Sequence, residues 1–450
     1  MIECGWDEEI TIKLPNFWLA EEEKERVIWS LLHFDLIKFD NDRNLRLKSG
    51  GTTDIYINLR DARNCPDAIE FISSLYSCPL SCLKNNYEIN KFVEIPDSVS
   101  CFAGMISAIT GLSYLTLREK EKIGRVSKAD IIGNPKEGDV VVIMDDVITD
   151  GQSKVAPYWK CLEKNLVVPL NLVLVDRQQG WEETFAREKV SLPVWAGMTL
   201  HDVRKYLIEN KLMRRCDPKV EEQNPIIVAL DGKSWKEILP IIDELRPTGC
   251  ILKVNDLAFY EGMKIIPELE VYGRVMLDLK CHDIPNTVEN TLNQLVKNKI
   301  FPWAVTVHAS GGIAMMEKAV KTLEGYPTKV LAVTVLTSLD EEICRYVYNQ
   351  KSIDQVKKLA EAAYLAGVDG FVCSPKEVSI LRKISSNPWL TIVTPGVRSP
   401  GADSGDQKRI DTPKSALENG ANHIVMGRQI LKALDPVAEV KRVLKEELGI

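Results

Sequence analysis

Eight short apolar runs alternate with helical patterns over residues 226–427, and this alternation constrains the fold more than any other feature of the chain. The runs span residues 226–231, 249–254, 274–280, 304–309, 329–337, 370–374, 391–397 and 423–427. Segments between them, such as residues 352–367, carry apolar residues at helical spacing and end in Gly. Eight strand–helix units in about 225 residues predict a closed parallel (β/α)8 TIM barrel, in which functional groups follow the strands at one rim.

A polar, charge-mixed stretch at residues 210–225 marks the upstream limit of this pattern. The chain has 450 residues, more than one ordinary hydrophobic core accommodates. We therefore predict an N-terminal α/β domain over residues 1–213, a linker over 214–224 and the barrel over 225–450. Residues 1–30 show only an acidic, helical pattern.

The composition restricts the classes of function. Apolar residues make up 45% and charged residues 27% of the chain, as in globular proteins, and no apolar run has the length of a membrane helix. The formal net charge of −7 argues against an extended nucleic-acid surface but leaves a small anionic ligand open. The eleven Cys lack zinc-like spacing, and the first residues lack the pattern of a secretion signal, so we expect reduced thiols and a cytoplasmic location.

Ionisable residues crowd the end of the third barrel strand, in the stretch MLDLKCHDIPNTV. Residues two apart on a strand point to the same face, so Asp278 and Lys280 are predicted to face the barrel interior, with Asp283 in the following loop. Lys253 and Asp231 end neighbouring strands. An internal ion pair that only orders the barrel mouth is the structural alternative, but buried pairs are poor stabilisers, and a cluster of this size favours chemistry.

The same stretch resembles the signature of orotidine 5′-phosphate (OMP) decarboxylases, and further similar segments follow in that family's order over residues 225–450. They are VALD (228–231), LKV (252–254), VTVLTS (333–338), TPGVRSPGADSGDQKR (394–409) and GANHIVMGRQI (420–430). The resemblance implies that this domain decarboxylates OMP to UMP without a metal or an organic cofactor.

The resemblance also implies a role for each matching residue. Lys280 would donate the proton that replaces the departing carboxylate on C6, Asp278 would press against that carboxylate, and Lys253 and Asp283 would complete an alternating charge array. The implied substrate-binding residues are Asp231, Thr287, Thr337, Ser338, Pro395, Arg398, Gln407, Gly427 and Arg428. Because Asp283 and Thr287 reach into the partner subunit in that family, a homodimer or higher homo-oligomer is expected.

Elementary chemistry supports this assignment without the resemblance. Loss of CO2 leaves a carbanion-like centre, so catalysis needs a preorganised cation where negative charge develops, and Lys280 is such a cation. A Gly-Arg pair after the last strand, Gly427 and Arg428, matches the phosphate site that barrels often build after strands seven and eight.

A second pattern lies in the N-terminal half, in the stretch VVVIMDDVITDGQSK at residues 140–154. An apolar strand runs into two acids and a Gly- and Ser-bearing loop that opens a helix. Backbone N–H groups of residues 149–153 can cradle a phosphate there. Asp145 and Asp146 can hold the hydroxyls of a ribose and a Mg²⁺ ion.

This stretch resembles the phosphoribosyl pyrophosphate (PRPP) motif of type I phosphoribosyltransferases, whose fold is a parallel sheet with flanking helices. Three further segments resemble orotate phosphoribosyltransferase in particular, over most of residues 30–210: LRLKSGGTTDIYINLRDAR (45–63), LREKEK (117–122) and VLVDRQQG (173–180). The residues implied to bind PRPP or orotate are Lys48, Arg118, Lys122, Asp145, Asp146, Thr149, Gly151, Ser153 and Arg177. The implied cofactor is Mg²⁺, bound with PRPP at Asp145 and Asp146.

Two departures from that family leave alternatives open. Glu119 and Gly124 stand where its mobile loop has Lys and His, and residues 95–105 lack its Gly- or Lys-bearing pyrophosphate loop. The chain therefore either converts orotate and PRPP to OMP and then OMP to UMP, or is a decarboxylase that carries a weak or inactive phosphoribosyltransferase-like binding or dimerisation domain. A third reading places the barrel with Mg²⁺-dependent sugar-phosphate decarboxylases, which share Asp-x-Lys-x-x-Asp. A fourth, in which both halves are structural scaffolds, leaves both phosphate-site patterns unexplained.

Overall fold

The computed structural model describes residues 2–5, 11–46, 51–118, 131–384, 390–401 and 411–450. The chain folds into two compact units, Met1–Met213 and Arg214–Ile450. Within the described ranges, none of the helices combines the length and apolar character that crossing a membrane requires.

The N-terminal unit contains strands and helices in alternation. Its strands are β1 (Ile2–Gly5), β2 (Thr11–Leu14), β3 (Ile37–Phe39), β4 (Leu45–Arg46), β5 (Thr52–Thr53), β6 (Ile55–Ile57), β7 (Lys91–Glu94), β8 (Ser113–Leu117), β9 (Ile131–Ile132), β10 (Val141–Ile148), β11 (Asn171–Asp176) and β12 (Val194–Thr199). Its helices are α1 (Glu21–His33), α2 (Pro66–Tyr87), α3 (Ser100–Thr110), α4 (Gln152–Leu162), α5 (Trp181–Arg187) and α6 (Leu200–Glu209), with a 3₁₀ helix at Leu59–Asn64.

The main sheet of this unit, counted over its described residues, has six strands in the order β12-β11-β10-β7-β8-β9. Neighbouring strands are parallel except for β8 and β9. Val142 and Met144 of β10 pack into the cluster that contains α2 and α3, whereas Val141 and Ile143 pack into the cluster that contains α4 and α5. Apolar side chains on both faces of β10 are what a parallel sheet covered on both sides requires.

The start of this unit differs from its sequence pattern. The sequence pattern over residues 1–30 is helical, but β1 and β2 form an antiparallel pair before α1 begins. The helical prediction is therefore wrong for Ile2–Gly5 and Thr11–Leu14 and correct for Glu21–His33. Acidic residues dominate the first turn of α1, where their charge interacts favourably with the positive end of the helix dipole. The acidic pattern is therefore typical of the start of this helix and not of the strands before it.

The second unit consists of strands that alternate with helices. The strands are β13 (Ile226–Ala229), β14 (Ile251–Val254), β15 (Val275–Cys281), β16 (Ala304–His308), β17 (Lys329–Val333), β18 (Gly370–Val372), β19 (Thr391–Thr394) and β20 (His423–Met426). The helices are α7 (Pro218–Gln223), α8 (Trp235–Leu245), α9 (Asp256–Glu261), α10 (Ile265–Glu270), α11 (Pro285–Lys297), α12 (Ile313–Leu323), α13 (Glu341–Tyr348), α14 (Ser352–Leu365), α15 (Val378–Ile384), α16 (Pro413–Glu418), α17 (Arg428–Leu431) and α18 (Pro436–Arg442). Short 3₁₀ helices lie at Arg246–Thr248, Ala309–Gly311 and Pro375–Glu377, and a π-helical turn at Val443–Leu448.

The strands β13 to β20, all within the described residues, close into a barrel in sequence order, each parallel to its neighbours. Each lies inside one of the eight apolar runs or extends it by one residue, so the predicted parallel barrel is confirmed. Apolar side chains from the strands, Ile227, Ile251, Met276, Leu331 and Val393 among them, form one buried cluster. Polar strand ends therefore gather above a filled interior, at the rim where parallel barrels bind ligands.

Residues 214–224, which the sequence suggests as a linker, fold against the barrel unit. The buried Arg246 guanidinium donates to the carbonyl oxygens of Arg214 (3.0 Å) and Arg215. The side chain of Asn224 donates to the Thr248 carbonyl at 2.7 Å, and Arg274 donates to the Glu221 carbonyl at 2.5 Å. These bonds satisfy carbonyl groups on both sides and attach the segment to the barrel.

Candidate active site

A row of alternating charges crosses the mouth of the barrel at the ends of β13, β14 and β15. The Lys253 ammonium donates to both carboxylate oxygens of Asp231, at 2.9 and 2.7 Å, and lies 3.2 Å from Oδ2 of Asp278. The Lys280 ammonium donates to the same Asp278 oxygen at 2.6 Å. Asp231, Lys253, Asp278 and Lys280 are thus brought together, as the sequence predicts.

The electrostatics of this row keep its inner members charged. Burial opposes charge on Lys253, but Asp278 and Asp231 outweigh it and hold the pKa of this lysine above its ordinary value. Burial likewise opposes charge on Asp278, but Lys253, Lys280 and the Thr306 hydroxyl lower the pKa of this carboxyl below its ordinary value. Each charge therefore depends on its neighbours, and the row behaves as one unit.

Lys280 reaches the row through an irregular backbone. Leu277 pairs with Val305 and Cys281 with Val307, so four residue steps on β15 match two on β16. Lys280 itself has a left-handed backbone, with φ of 50°, which is uncommon for a residue with a β-carbon and occurs often at functional sites. The inward direction of Lys280 agrees with the prediction, but its predicted cause, regular alternation along the strand, is wrong.

Thr306 and Asn255 hold this irregular segment, although neither belongs to a sequence motif of the site. The Thr306 hydroxyl donates to Oδ1 of Asp278 at 2.8 Å and accepts from the Lys280 backbone N–H at 2.8 Å. The Asn255 side chain donates to the Asp278 carbonyl at 2.7 Å. The available signal for Thr306 was a lone hydroxyl inside the apolar strand AVTVH, where a buried polar side chain must find partners.

A cavity of about 540 Å³ opens beside the row. Its lining includes almost all of the substrate-binding residues predicted for the barrel, namely Asp231, Thr337, Ser338, Pro395, Arg398, Gly427 and Arg428. Gly427 and Arg428 follow β20, which pairs with β13 in the closed barrel. Charged groups of both signs at the row and a guanidinium at the end of β20 thus border a single space that can hold an anionic ligand.

Two predicted residues of this site, Asp283 and Thr287, lie outside the cavity. Asp283 is exposed, and its Oδ1 accepts from the backbone N–H of Ile284 at 2.7 Å. Thr287 is exposed on the first turn of α11, and neither residue lines the cavity. Gln407 lies outside the described residues. Within one chain, Asp231 rather than Asp283 is the fourth member of the charge row.

In the N-terminal unit, Asp145 and Asp146 lie inside β10, at the carboxyl end of the parallel sheet. Oδ1 of Asp145 accepts from the Ser98 hydroxyl and from the Asp146 backbone N–H, and Oδ2 forms an ion pair with Lys154. Burial opposes the charge on Asp145, but Lys154 outweighs it and lowers the pKa of this carboxyl. Burial, followed by the charge of Asp145, raises the pKa of Asp146 to about 7.

These contacts test whether the acid pair fits the Mg²⁺ ion that the resemblance implies. Magnesium prefers free carboxylate oxygens in an octahedral arrangement. Both oxygens of Asp145 are already occupied by donors, and Oδ1 of Asp146 accepts from the Val147 N–H at 2.8 Å. Among the described residues, no group of three His, Cys, Asp or Glu side chains could hold a metal. The pair as folded does not fit a metal held by both carboxylates.

The loop after β10 places three predicted phosphate-binding residues, Thr149, Gly151 and Ser153, at the start of α4. Gly151 has φ of 76°, and a β-carbon there would meet the Phe185 ring at 2.8 Å, so the position requires glycine. The Asp150 carboxylate accepts from the backbone N–H of Gln152 at 3.1 Å. One amide of the phosphate cradle is therefore engaged by a carboxylate of the same loop.

The remaining predicted residues of this unit are spread along the same sheet edge. Arg177 follows β11, where its buried guanidinium donates to the Ile55 carbonyl at 3.1 Å and to the Thr53 hydroxyl at 3.0 Å. Arg118 follows β8, two strands away from β10. Lys48 and Lys122 lie outside the described residues. Ser98 and Lys154 also contact Asp145 but are not among the predicted residues, although Lys154 lies within residues 140–154.

Comparison with known proteins identifies relatives of the second unit. Residues 224–443 match the family described as orotidine 5′-phosphate decarboxylase / HUMPS. Orotidine 5′-phosphate decarboxylase of Actinobacillus pleuropneumoniae serotype 5b is 42% identical over 226 residues, which cover 49% of this chain and 97% of the relative. The enzyme of the same name from Haemophilus influenzae strain PittEE is 41% identical over 230 residues, 50% of this chain and 98% of the relative.

Solved structures include similar chains. Orotidine 5′-phosphate decarboxylase from Lactobacillus acidophilus has a TM-score of 0.43 and 37% identity, and the match covers 50% of this chain and 99% of that chain. Leishmania donovani UMP synthase has a TM-score of 0.36 and 25% identity, over 42% of this chain and 39% of that chain.

Proposed function

The chain belongs to the orotidine 5′-phosphate decarboxylase family, and from that premise we propose that its barrel converts OMP to UMP and CO2 in pyrimidine biosynthesis. The observation that carries this proposal is the contact between the Lys280 ammonium and Asp278 within the row Asp231–Lys253–Asp278–Lys280. Such a row is costly to desolvate and is explained by a reaction that creates negative charge beside it.

Lys280 is proposed to act as proton donor. As the C6–carboxylate bond breaks, its electron pair stays on C6, and the Lys280 ammonium stabilises this charge and then transfers a proton to it. Asp278 orients the ammonium and lies where the substrate carboxylate would be repelled until CO2 leaves. Since the chain supplies both the cation and the proton, this step needs no cofactor.

The opposite end of the cavity is proposed to hold the phosphate. The Arg428 guanidinium and the Gly427 N–H after β20 suit a phosphate. The resemblance adds Gln407 to the residues that would bind it. Asp231 and Lys253 would then hold ribose hydroxyls, while Thr337 and Ser338 contact the pyrimidine ring. Binding the phosphate at one end fixes the reacting carbon at the other, which is how remote contacts lower the barrier.

We further propose that the barrel is completed by a second copy of the chain. Asp283 and Thr287 are exposed at the rim next to the row and do not reach their own cavity. In a symmetric dimer they would face the partner's cavity, and Asp283 would extend the partner's charge row beyond Lys280.

A second candidate function, favoured by the strand–loop–helix at Asp145–Leu162, is transfer of a phosphoribosyl group to orotate by the N-terminal unit. Thr149, Gly151 and the loop amides would bind the 5′-phosphate, and Asp146 would accept from a ribose hydroxyl. Arg177 would need to exchange its bonds to Thr53 and Ile55 for bonds to orotate. The product, OMP, would be the substrate of the barrel, so the chain would carry out two consecutive steps.

The experiment uses the full-length chain and two substrates. OMP is supplied in the presence of a chelator, and UMP and CO2 are measured; their release supports the decarboxylase, and its absence refutes it. Mg²⁺-dependent activity lost with the chelator would instead favour a sugar-phosphate decarboxylase. Orotate with PRPP and Mg²⁺ is supplied separately, and orotate-dependent release of pyrophosphate decides whether the N-terminal unit is a transferase or a ligand-binding domain.

A further inference from the structure

Lys154 is a buried cation in the one segment where the motif predicts a metal. It lies in the first turn of α4, and only 2% of it is exposed. Its ammonium has three donors and three acceptors around it: Oδ2 of Asp145, the Ser153 hydroxyl at 2.7 Å and the Val147 carbonyl at 3.4 Å. A buried lysine whose three N–H donors all have acceptors is an ordered part of the site and not a solvated side chain.

The ion pair uses the oxygen of Asp145 that a metal would need. Oδ1 of Asp145 is taken by the Ser98 hydroxyl and the Asp146 N–H, so Oδ2 is its remaining acceptor, and Lys154 occupies it. A direct Asp145–Mg²⁺ contact would require the ammonium to withdraw from the pocket that surrounds it. The neighbouring Asp146 cannot replace the lost ligand, since a single carboxylate with one oxygen engaged by Val147 offers a weak site.

We propose that the Lys154 ammonium takes the place of a divalent cation on Asp145, so that the chain itself neutralises the first acid of the pair in β10. The N-terminal unit then binds no Mg²⁺ through Asp145. A metal that arrives with a phosphorylated sugar is held by the oxygens of that ligand and by water. The pairing of the Asp145 and Lys154 charges does not depend on whether the unit catalyses phosphoribosyl transfer.

The test measures binding of Mg²⁺ alone to the full-length chain by calorimetric titration and by its effect on the thermal midpoint. Wild type is compared with Lys154→Met, which keeps the unbranched stem of the side chain but removes the ammonium, and with the double variant Lys154→Met/Asp145→Asn. Removal of the ammonium leaves two adjacent carboxylates, so Lys154→Met should gain a site at least about tenfold tighter than any in wild type. The double variant should lose this gain.

Two results would overturn the proposal. One is a Lys154→Met variant that folds and binds Mg²⁺ no better than wild type. The other is a Mg²⁺ site in wild type that disappears in Asp145→Asn. Should Lys154→Met fail to fold, this second comparison decides: identical titrations of wild type and Asp145→Asn support the proposal, and loss of a site in Asp145→Asn refutes it.

Discussion

The position of the Lys280 ammonium depends on the backbone conformation of Lys280 and its strand. Its ammonium lies 2.6 Å from Asp278, but its φ of 50° and the bulge in β15 are needed to bring it there. A left-handed lysine costs conformational energy, which the surrounding hydrogen bonds must offset. The Thr306 hydroxyl bonds to both the Lys280 N–H and the Asp278 carboxylate, so it fixes both at once.

The first prediction tests this role of Thr306. Thr306→Val keeps the shape of the side chain but leaves the Lys280 N–H and a buried carboxylate oxygen of Asp278 without their partner, at a cost of about 1–3 kcal/mol in the free energy of unfolding. Because Lys280 is then less well placed, kcat for OMP should fall more than about tenfold while KM changes little. Thr306→Ser, which restores the hydroxyl, is the control. Wild-type kcat in the valine variant would show that Thr306 does not position Lys280.

At the scale of elements, β10 places the two acidic residues of the N-terminal candidate site on an inner strand of the sheet. Asp145 and Asp146 stand within the strand, flanked by β7 and β11, and both are buried. Lys154 and Ser98 stabilise the charge of Asp145. At Asp146, burial and the charge of Asp145 outweigh the opposing effects of Ser98 and Lys154, and the pKa of this carboxyl rises to about 7. The strand therefore carries one acid whose pKa is lowered and one that titrates near neutrality.

A pH dependence of stability follows from Asp146. Between pH 4 and pH 7 the folded chain holds a proton at Asp146 that the unfolded chain releases, so the free energy of unfolding falls as pH rises through this range and stays lower above it. Asp146→Asn removes the effect and should stabilise the chain at pH 8 relative to wild type, by up to about 4 kcal/mol, but not at pH 4. Thermal unfolding at both pH values measures this difference, with the exposed Asp150→Asn as matched control. An equal difference at pH 4 and pH 8 would contradict the assigned titration.

The sequence predicts more of the structure in the barrel unit than in the N-terminal unit, because only local patterns can be recognised in a sequence. The barrel strands are buried runs bounded by polar ends, a local pattern that identifies both the strands and the residues at their rim, from Asp231 to Arg428. The bulge at Lys280 and the bonds of Thr306 arise from pairing between distant strands and leave no local pattern. Likewise, the acid pair of β10 is visible in the sequence, but its bond to Lys154 depends on how α4 packs, and the two strands before α1 depend on pairing with each other.

At the scale of the whole molecule, the proposed dimer explains why Asp283 stands apart from its own charge row. Complementation tests this arrangement. Lys280→Ala and Asp283→Ala are each expected to be inactive as a decarboxylase. If Asp283 serves the partner's cavity, hybrid dimers regain one intact site, and an equal mixture should recover about a quarter of wild-type activity per chain. Decarboxylation by the mixture no faster than by the separate variants, after subunits have exchanged, would refute a shared site.

The most direct test of the account concerns the Lys280 ammonium. Lys280→Ala removes the cation and the proton from the end of the row and leaves the phosphate end of the cavity intact. Turnover of OMP should fall at least about a thousandfold, while UMP binding, measured by titration calorimetry, stays within about tenfold of wild type. Release of CO2 at a rate near wild type by this variant would contradict the proposed role of Lys280 as the proton donor.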